Sequence, residues 1–425
     1  MTEGNSHESA GSASPRAHRG GRTASPWLIW PTMALLVALA FYGFSQGGSD
    51  NTPRTIGNSP AASTTVTATP SPIDEWAEED EEADETDDSE WWSRVFGLEI
   101  DRGLKWLADH QEWDGHWSAA KWGGKSTDDA AITGLVLMAF DGAGQTERSG
   151  KYKRVVKDAI WWLHEQQDAK GNFAPGASMY SHAIPTIALL EETAMCPVPR
   201  TQTIAKKGLD YMLSVRNDNK AWRYWPKDGN NDVSVTTWCT IAMKAAKVAG
   251  CDIPANAWAG VRSFLDEVTD PDSGEVGYTM RPIKGSAELS YQRYAMTACG
   301  TLARLYMGVP RDDPLIRKGG VILMENLPQW NQPGFGAPHY NYWYFGSLVL
   351  FQLEGDLWKK WDRKLYDLLI SHQNKVPGDL LGSWEPSPGT DCTGLGGRLY
   401  STALAVLTLE IHYRYEIINK ASSGK

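Results

Sequence analysis

Gly103–Gly144, GLKWLADHQEWDGHWSAAKWGGKSTDDAAITGLVLMAFDGAG, reads as a helix, a Gly/Trp-rich turn and a second, more apolar helix. In the first helix Ile100, Gly103, Leu104 and Leu107 fall at helical spacing with Asp101, Lys105 and Asp109 elsewhere, so one face is buried. The second, Asp129 to Phe140, is apolar nearly all round and predicts burial on every side. A one-faced helix followed by an all-round one is the pattern of a double ring, outer helices packed on inner ones.

Variants of this unit recur down the chain. The second pairs Lys153–Gln167 with Tyr180–Thr193 across Lys170-Gly171-Asn172-Phe173, and the third pairs Thr203–Val215 with Val233–Ala249 across Trp222-Arg223-Tyr224-Trp225. The fourth pairs Ala255–Val268 with Leu289–Met307, the fifth Pro314–Asn326 with Tyr340–Leu353, and the sixth Trp358–Gln373 with Leu399–Tyr413. Turn markers at Gln111, Gln166, Arg216, Asp272, Gln329 and Gln373 stand roughly 45 to 57 residues apart, the period of a helical-pair array. Six pairs suffice to close a ring, and polar end caps of an open solenoid are not evident. The expected fold is all-α, an α6/α6 double-ring barrel or toroid, over residues 93–416, with a disordered tail at 417–425.

Residues 1–26 are polar and rich in Gly, Ser and Ala. Trp27–Phe44 is an uncharged apolar run of 18 residues, just long enough to cross a bilayer, and Arg16, Arg19 and Arg22 precede it. The positive-inside rule then places residues 1–26 in the cytoplasm and the toroid outside a bacterial cell membrane. A cleaved signal peptide is the other reading, but a small-x-small cleavage site after Phe44 is lacking, which favours a retained transmembrane anchor. Residues 45–92 read as a disordered linker, Ser/Thr/Pro-rich and then acidic. Asp74 to Glu90 carries twelve acids and no base, so most of the net charge of −11 sits in this spacer and the remainder is close to neutral. No basic patch or reading motif points to nucleic acid. The five cysteines show no disulfide framework; Cys196 and Cys251, after equivalent inner helices, are the one pair positioned for a bridge.

The Gln111-Glu112-Trp113-Asp114-Gly115-His116-Trp117 turn resembles the repeat of the squalene–hopene cyclase and protein prenyltransferase β-subunit superfamily. Asp232-Val-Ser-Val-Thr-Thr-Trp238, Tyr342-Trp343-Tyr344 and Trp358-Lys-Lys-Trp361 resemble anchored bacterial members of the planctomycete type. The resemblance spans about Phe96 to Tyr415 and implies the toroid; the activity it leaves open, because this fold hosts many. Ser126-Thr127-Asp128-Asp129 resembles the Asp-x-Asp-Asp acid motif of class II terpene cyclases, with Ser126 in place of the first aspartate. That likeness implies Asp128 as a proton donor. The plainer reading is a helix N-cap, Thr127 or Asp128 satisfying exposed N–H groups and Asp129 favoured by the dipole. Prenyltransferases hold zinc with Asp-x-Cys and a later His; here Asp391 and Cys392 are adjacent, so no cofactor is expected, with zinc or another divalent metal at that pair the weaker alternative.

In a double ring the first turn of every inner helix lines one mouth. Those turns offer Asp128 and Asp129, His182 and His339 as catalytic candidates, and Tyr180, Trp238, Tyr291, Tyr294, Tyr342, Tyr344, Arg398 and Tyr400 as cavity lining. A ring of aromatics suits an apolar, cationic or sugar-like ligand, while aromatics that plug the barrel and hydrogen-bonded core histidines are the structural alternatives. The expected partner is therefore an apolar, isoprenoid-like small molecule, or else a glycan handled by a lyase or hydrolase, with a non-catalytic scaffold as the third reading.

Overall fold

The computed structural model describes residues 88–218, 220–283, 290–332, 337–387 and 393–423. Among them lie twelve α-helices and no β-strand. Outer helices are α1 (Asp88–Asp109), α3 (Lys153–Gln166), α5 (Pro199–Ser214), α7 (Ala255–Val268), α9 (Pro314–Glu325) and α11 (Gly355–His372). Inner helices are α2 (Asp129–Gly142), α4 (Tyr180–Met195), α6 (Val233–Val248), α8 (Ser290–Tyr306), α10 (Tyr340–Leu353) and α12 (Thr393–Ser423). Each inner helix packs on the next, and α12 returns to α2, so the ring is closed. The architecture is the expected α/α toroid.

Burial follows the amphipathic pattern. In α3 only Val156, Ala159, Ile160 and Leu163 are buried, whereas every residue of α2 from Ala130 to Gly142 is. The sequence units are not the packing units, however. Most inner helices lie closer to the outer helix that follows them than to the one that precedes, and α1 packs on α12 rather than mainly on α2. The first helix of the chain thus seals the last. Helix α5 starts four residues before the expected Thr203, because Pro199 enters at N1, where a missing N–H costs nothing. Helix α12 carries a break at Gly397 (φ 55°), where the chain passes over the carbonyl of Trp122.

The turns repeat one device. The amide of Gln111 donates to Gly115 O and to Val155 O of the next outer helix, at 2.8 and 2.9 Å. Gln167 does the same to Gly171 O and Ile204 O, one residue after the expected Gln166. Arg216 spans Lys220 O and Asn256 O, and Gln373 spans Gly382 O and Glu99 O, which closes the ring. Trp117, Trp222 and Trp384 each donate their indole N–H to the preceding outer helix. Gly115 is held at φ 103°, and a Cβ there would meet Asp158 O at 2.2 Å. Gly115→Ala is therefore expected to lower stability by about 1–3 kcal/mol in denaturant titration. Gly176 has a similar φ of 83° but open space around it, and if Gly176→Ala costs as much, the close approach is not the cause.

No helix among the described residues is long and apolar enough to cross a membrane, and the expected anchor at 27–44 lies outside them. Most of the linker, Asp391 and Cys392 also lie outside, and Tyr291 is described only as backbone of α8. The Cys196–Cys251 bridge is not formed: both thiols are free. Cys196 is turned towards Thr146 and Glu192, while Cys251 lies beside Lys206 and Asp210, so the two face different neighbours.

Candidate functional site

The N-terminal turns of the inner helices surround a cavity of about 340 Å³. Its floor is Leu135, Ile184 and Trp238; Trp238 stacks on Tyr344 at 6.3 Å and meets Phe345 edge-on at 5.2 Å, which closes the barrel beneath. Its walls include Ala131, Ile132, Tyr180, Asn341 and Tyr400, and the loops add Lys125, Tyr224 and the half-exposed Trp225 at the rim. Among the described residues the barrel is thus filled below the cavity.

A register common to the repeats explains which residues face inward. The backbone N–H groups of Trp117, Phe173, Trp222, Val276 and Trp384 donate to Thr133, His182, Thr236, Thr297 and Thr402 respectively. Two residues before each acceptor stand Ala131, Tyr180, Ser234, Ala295 and Tyr400; in α10, Asn341 holds the same place relative to the N-cap as Ser234 does in α6. Of this layer only Tyr180 and Tyr400 are aromatic. Among the described residues the expected ring of aromatics at one height is therefore not present, because the other aromatics fall on different helical phases. Tyr342 points outward and its hydroxyl donates to Asn326 O of the outer layer at 2.7 Å. Tyr294 packs on Tyr342 at 4.5 Å, and Arg398 bonds Ser383 and Glu385. None of these three lines the cavity. Asn341, Tyr224, Trp225 and Lys125 do, and the turn-acceptor register read along the repeats is the signal that would have found Asn341.

The two aspartates part company. Asp129 turns away from the cavity: its Oδ1 accepts Ala119 N–H at 2.8 Å and its Oδ2 lies 3.8 Å from His116 Nε2, so it fixes the preceding turn. Asp128 lines the cavity and is 5% exposed. It stands at the N-cap position of α2 but makes no capping hydrogen bond from its side chain, contrary to the cap expected there. Its Oδ2 has no hydrogen-bond partner among the described residues. Burial raises its carboxyl above the ordinary range, against the pull of Lys125 and the hydrogen bonds of Ser181 and Thr127. Asn341 also lines the cavity, and its buried Oδ1 is likewise without a hydrogen-bond partner among the described residues.

Both candidate histidines bind the backbone of their own turns. Phe173 N–H donates to His182 Nδ1 at 3.4 Å, which leaves the proton on Nε2 to donate to Gly208 O at 2.9 Å. His182 thus fills the role threonine fills in four other repeats, and burial lowers its pKa to about 4. His339 Nδ1 accepts Tyr342 N–H at 3.2 Å as the N-cap of α10, and burial lowers its pKa to about 3. Neither lines the cavity. Because the unfolded chain binds a proton at His182 below pH 6.5 and the folded chain does not, stability falls as pH drops from 6.5 towards 4. His182→Thr is expected to flatten that slope in thermal melts; an unchanged slope would show that His182 is not held neutral. Among the described residues no three His, Cys, Asp or Glu side chains gather as a metal site.

No protein-family model and no curated protein matches the chain. Solved structures do. Cellobiose 2-epimerase of Spirochaeta thermophila superposes with TM-score 0.56 at 13% identity, over 79% of this chain and 99% of its own. An inactive variant of the α-1,6-mannanase of Salegentibacter sp. HEL1_6 gives 0.54 at 11%, over 74% and 98%. A type II terpene cyclase from Scytonema, in complex with geranylgeranyl dihydroxybenzoate, gives 0.52 at 10%, over 77% and 99%. At such identities the likeness is one of fold, and by fold the chain is an α/α toroid, an architecture it shares with both carbohydrate-active enzymes and terpene cyclases.

Proposed function

We propose that the toroid binds an apolar, isoprenoid-like ligand with one polar or protonatable end, and that Asp128 is the acid that protonates it. The observation that carries this reading is the single buried carboxyl with an unpartnered oxygen at the wall of a cavity whose floor is Leu135, Ile184 and Trp238. Burial raises the pKa of the Asp128 carboxyl and so favours its protonated form, the form that can deliver a proton where water is excluded. Tyr180, Tyr400 and Trp238 at the cavity wall are the aromatic groups that would stabilise a developing positive charge.

The second reading is a glycan-binding or glycan-processing cavity. Asp128 and Asn341 are polar side chains at the cavity wall suited to sugar hydroxyls, and Trp225 at the rim would stack on a sugar ring. The mannanase variant is named as a complex with α-1,6-mannotriose, which makes a glycan a reasonable probe. Hydrolysis by a carboxylate pair would need a second carboxylate across the cavity. Asp128 is the one carboxylate among the described lining residues, since Asp129 is engaged with Ala119. The test is a thermal-shift and calorimetric screen of the full chain against geranylgeraniol, squalene, cellobiose and mannotriose. Stabilisation by the isoprenoids, lost on Trp238→Ala, supports the first reading; stabilisation by the sugars alone replaces it with the second. Anchoring through residues 27–44 belongs to the same proposal, and recovery of the full chain in the soluble fraction of cells would remove it.

A further inference from the structure

A polar chain leads from the cavity wall into the protein. The Tyr180 hydroxyl lies 2.6 Å from Ser234 Oγ, and Ser234 Oγ lies 2.8 Å from Asp232 Oδ1. Its direction is fixed: the carboxylate accepts, so Ser234 donates to Asp232, and Ser234 Oγ in turn accepts from Tyr180. Asp232 is fully buried. Its Oδ1 also caps α6 through Val235 N–H at 2.8 Å, and its Oδ2 has no hydrogen-bond partner among the described residues, the nearest cation being Arg223 Nε at 3.8 Å. Among the described residues Tyr278 and Cys239 are the other titratable groups that face it, and Tyr224 lies behind Tyr278. Tyr224 and Tyr278 share a hydrogen bond of 2.5 Å between their hydroxyls, and Arg223 lies over both rings. In the first repeat the equivalent carboxylate, Asp129, binds Ala119 N–H instead, so the connection to the cavity is a property of Asp232 alone of the two.

We propose that Tyr180, Ser234 and Asp232 form a proton relay that receives the proton a ligand gives up, opposite in sense to Asp128. The inference rests on the acid role of Asp128 proposed above. The proton of the Asp128 carboxyl adds to a ligand alkene carbon, leaving a cation on the adjacent carbon. A neighbouring C–H bond then breaks, its electron pair forms the new C=C bond, and its proton passes to the Tyr180 oxygen. The phenolic proton moves to Ser234 Oγ and the Ser234 proton to Asp232 Oδ1. No oxidant or co-reactant is consumed, and the outcome is an isomerised or cyclised ligand with Asp128 ionised and Asp232 protonated; solvent exchange restores both. Tyr180 touches the ligand, whereas Ser234 and Asp232 act through it. Burial raises the Asp232 carboxyl to about 6, against the hydrogen bonds of Val235 and Ser234, so near neutrality it is an ionised base of useful strength.

Two measurements on the full chain test the relay. In the first, carboxyl ¹³C NMR of aspartate-labelled protein follows the Asp232 midpoint, assigned by its loss in Asp232→Asn. Ser234→Ala is expected to raise that midpoint by about one unit, since a donor to the charged form is removed. Tyr180→Phe is expected to raise it by less. Movement on Ser234→Ala with none on Tyr180→Phe would mean that Ser234 is only a cap partner and would overturn the relay. In the second, geranylgeraniol is incubated with the protein in D₂O, and deuterium uptake is read by mass spectrometry. Wild type is expected to label the probe in an Asp128-dependent way. Tyr180→Phe and Asp232→Asn are expected to bind it yet label it about 10²-fold more slowly. Equal labelling rates overturn the relay while sparing the Asp128 reading. Failure of wild type to bind the probe overturns that reading instead, and the NMR arm then decides whether the chain from Tyr180 to Asp232 is connected.

Discussion

Asparagine in place of Asp128 is expected to lower proton transfer to a bound isoprenoid by about 10²–10⁴-fold and, in the same protein, to raise folding stability at neutral pH. The two effects have one cause. Asp128 is buried, its Oδ2 has no hydrogen-bond partner among the described residues, and burial is the main influence on its carboxyl. A carboxyl whose folded pKa lies above its ordinary 3.8 is best tolerated when protonated. Its contribution to stability is fully present below that value and is lost as pH rises through the folded pKa. Asp128→Asn, which cannot ionise, escapes that loss. Its advantage over wild type should therefore be absent at acid pH and develop towards neutrality, in chemical denaturation at both pH values. Such a gain on removing a group marks a residue kept for its chemistry rather than its packing. If the variant is no more stable than wild type at neutral pH, the carboxyl is not under strain and the acid role loses its physical basis.

The ring itself was legible because it rests on patterns of one residue type at one spacing. The all-round apolar run at Asp129–Phe140 and the one-faced run before it give inner and outer helices, and the observed α7 and α10 begin and end where the sequence places them. What the pattern does not carry is the direction of a polar side chain within a turn. Asp128 and Asp129 are adjacent and chemically alike, yet a short 3₁₀ turn at Ser126–Asp128 sends the first into the cavity and leaves the second on Ala119 N–H. Nor does composition fix helical phase: Tyr342 and Asn341 are neighbours, and it is the asparagine that lines the cavity. His182 and His339 drew attention as histidines, but each accepts a backbone N–H, a role that threonine or aspartate fills elsewhere in the ring. The hydrogen bond between Tyr180 and Ser234 could not be read from sequence, since it joins α4 to α6 across residues 54 apart.

Truncating Trp384 to alanine is expected to cost about 3–5 kcal/mol, the range for a fully buried large aromatic, and to do so by opening the ring. Trp384 is wholly excluded from solvent. Its indole N–H donates to Leu369 O at 2.8 Å, its backbone N–H donates to Thr402 Oγ1 at 3.1 Å, and its carbonyl accepts from Ser401. The indole also covers Gly103, where a Cβ would lie 3.2 Å from the ring and 2.5 Å from Val406. This tryptophan therefore sits where α1, α11 and α12 meet, the seam between the two ends of the folded chain. Trp106 Nε1 to Asp379 O and Gln373 Nε2 to Glu99 O cross the same seam, and both depend on the Trp384 turn staying seated. Hydrogen exchange should show the loss first in α1 and α12, with α4 and α6 on the far side protected longer. Trp113, 95% exposed in the first repeat's turn, is the matched control and should change stability by no more than about 0.5 kcal/mol on truncation. Uniform loss of protection around all six inner helices would mean that the ring unfolds as one unit and that its seam is no weaker than the rest.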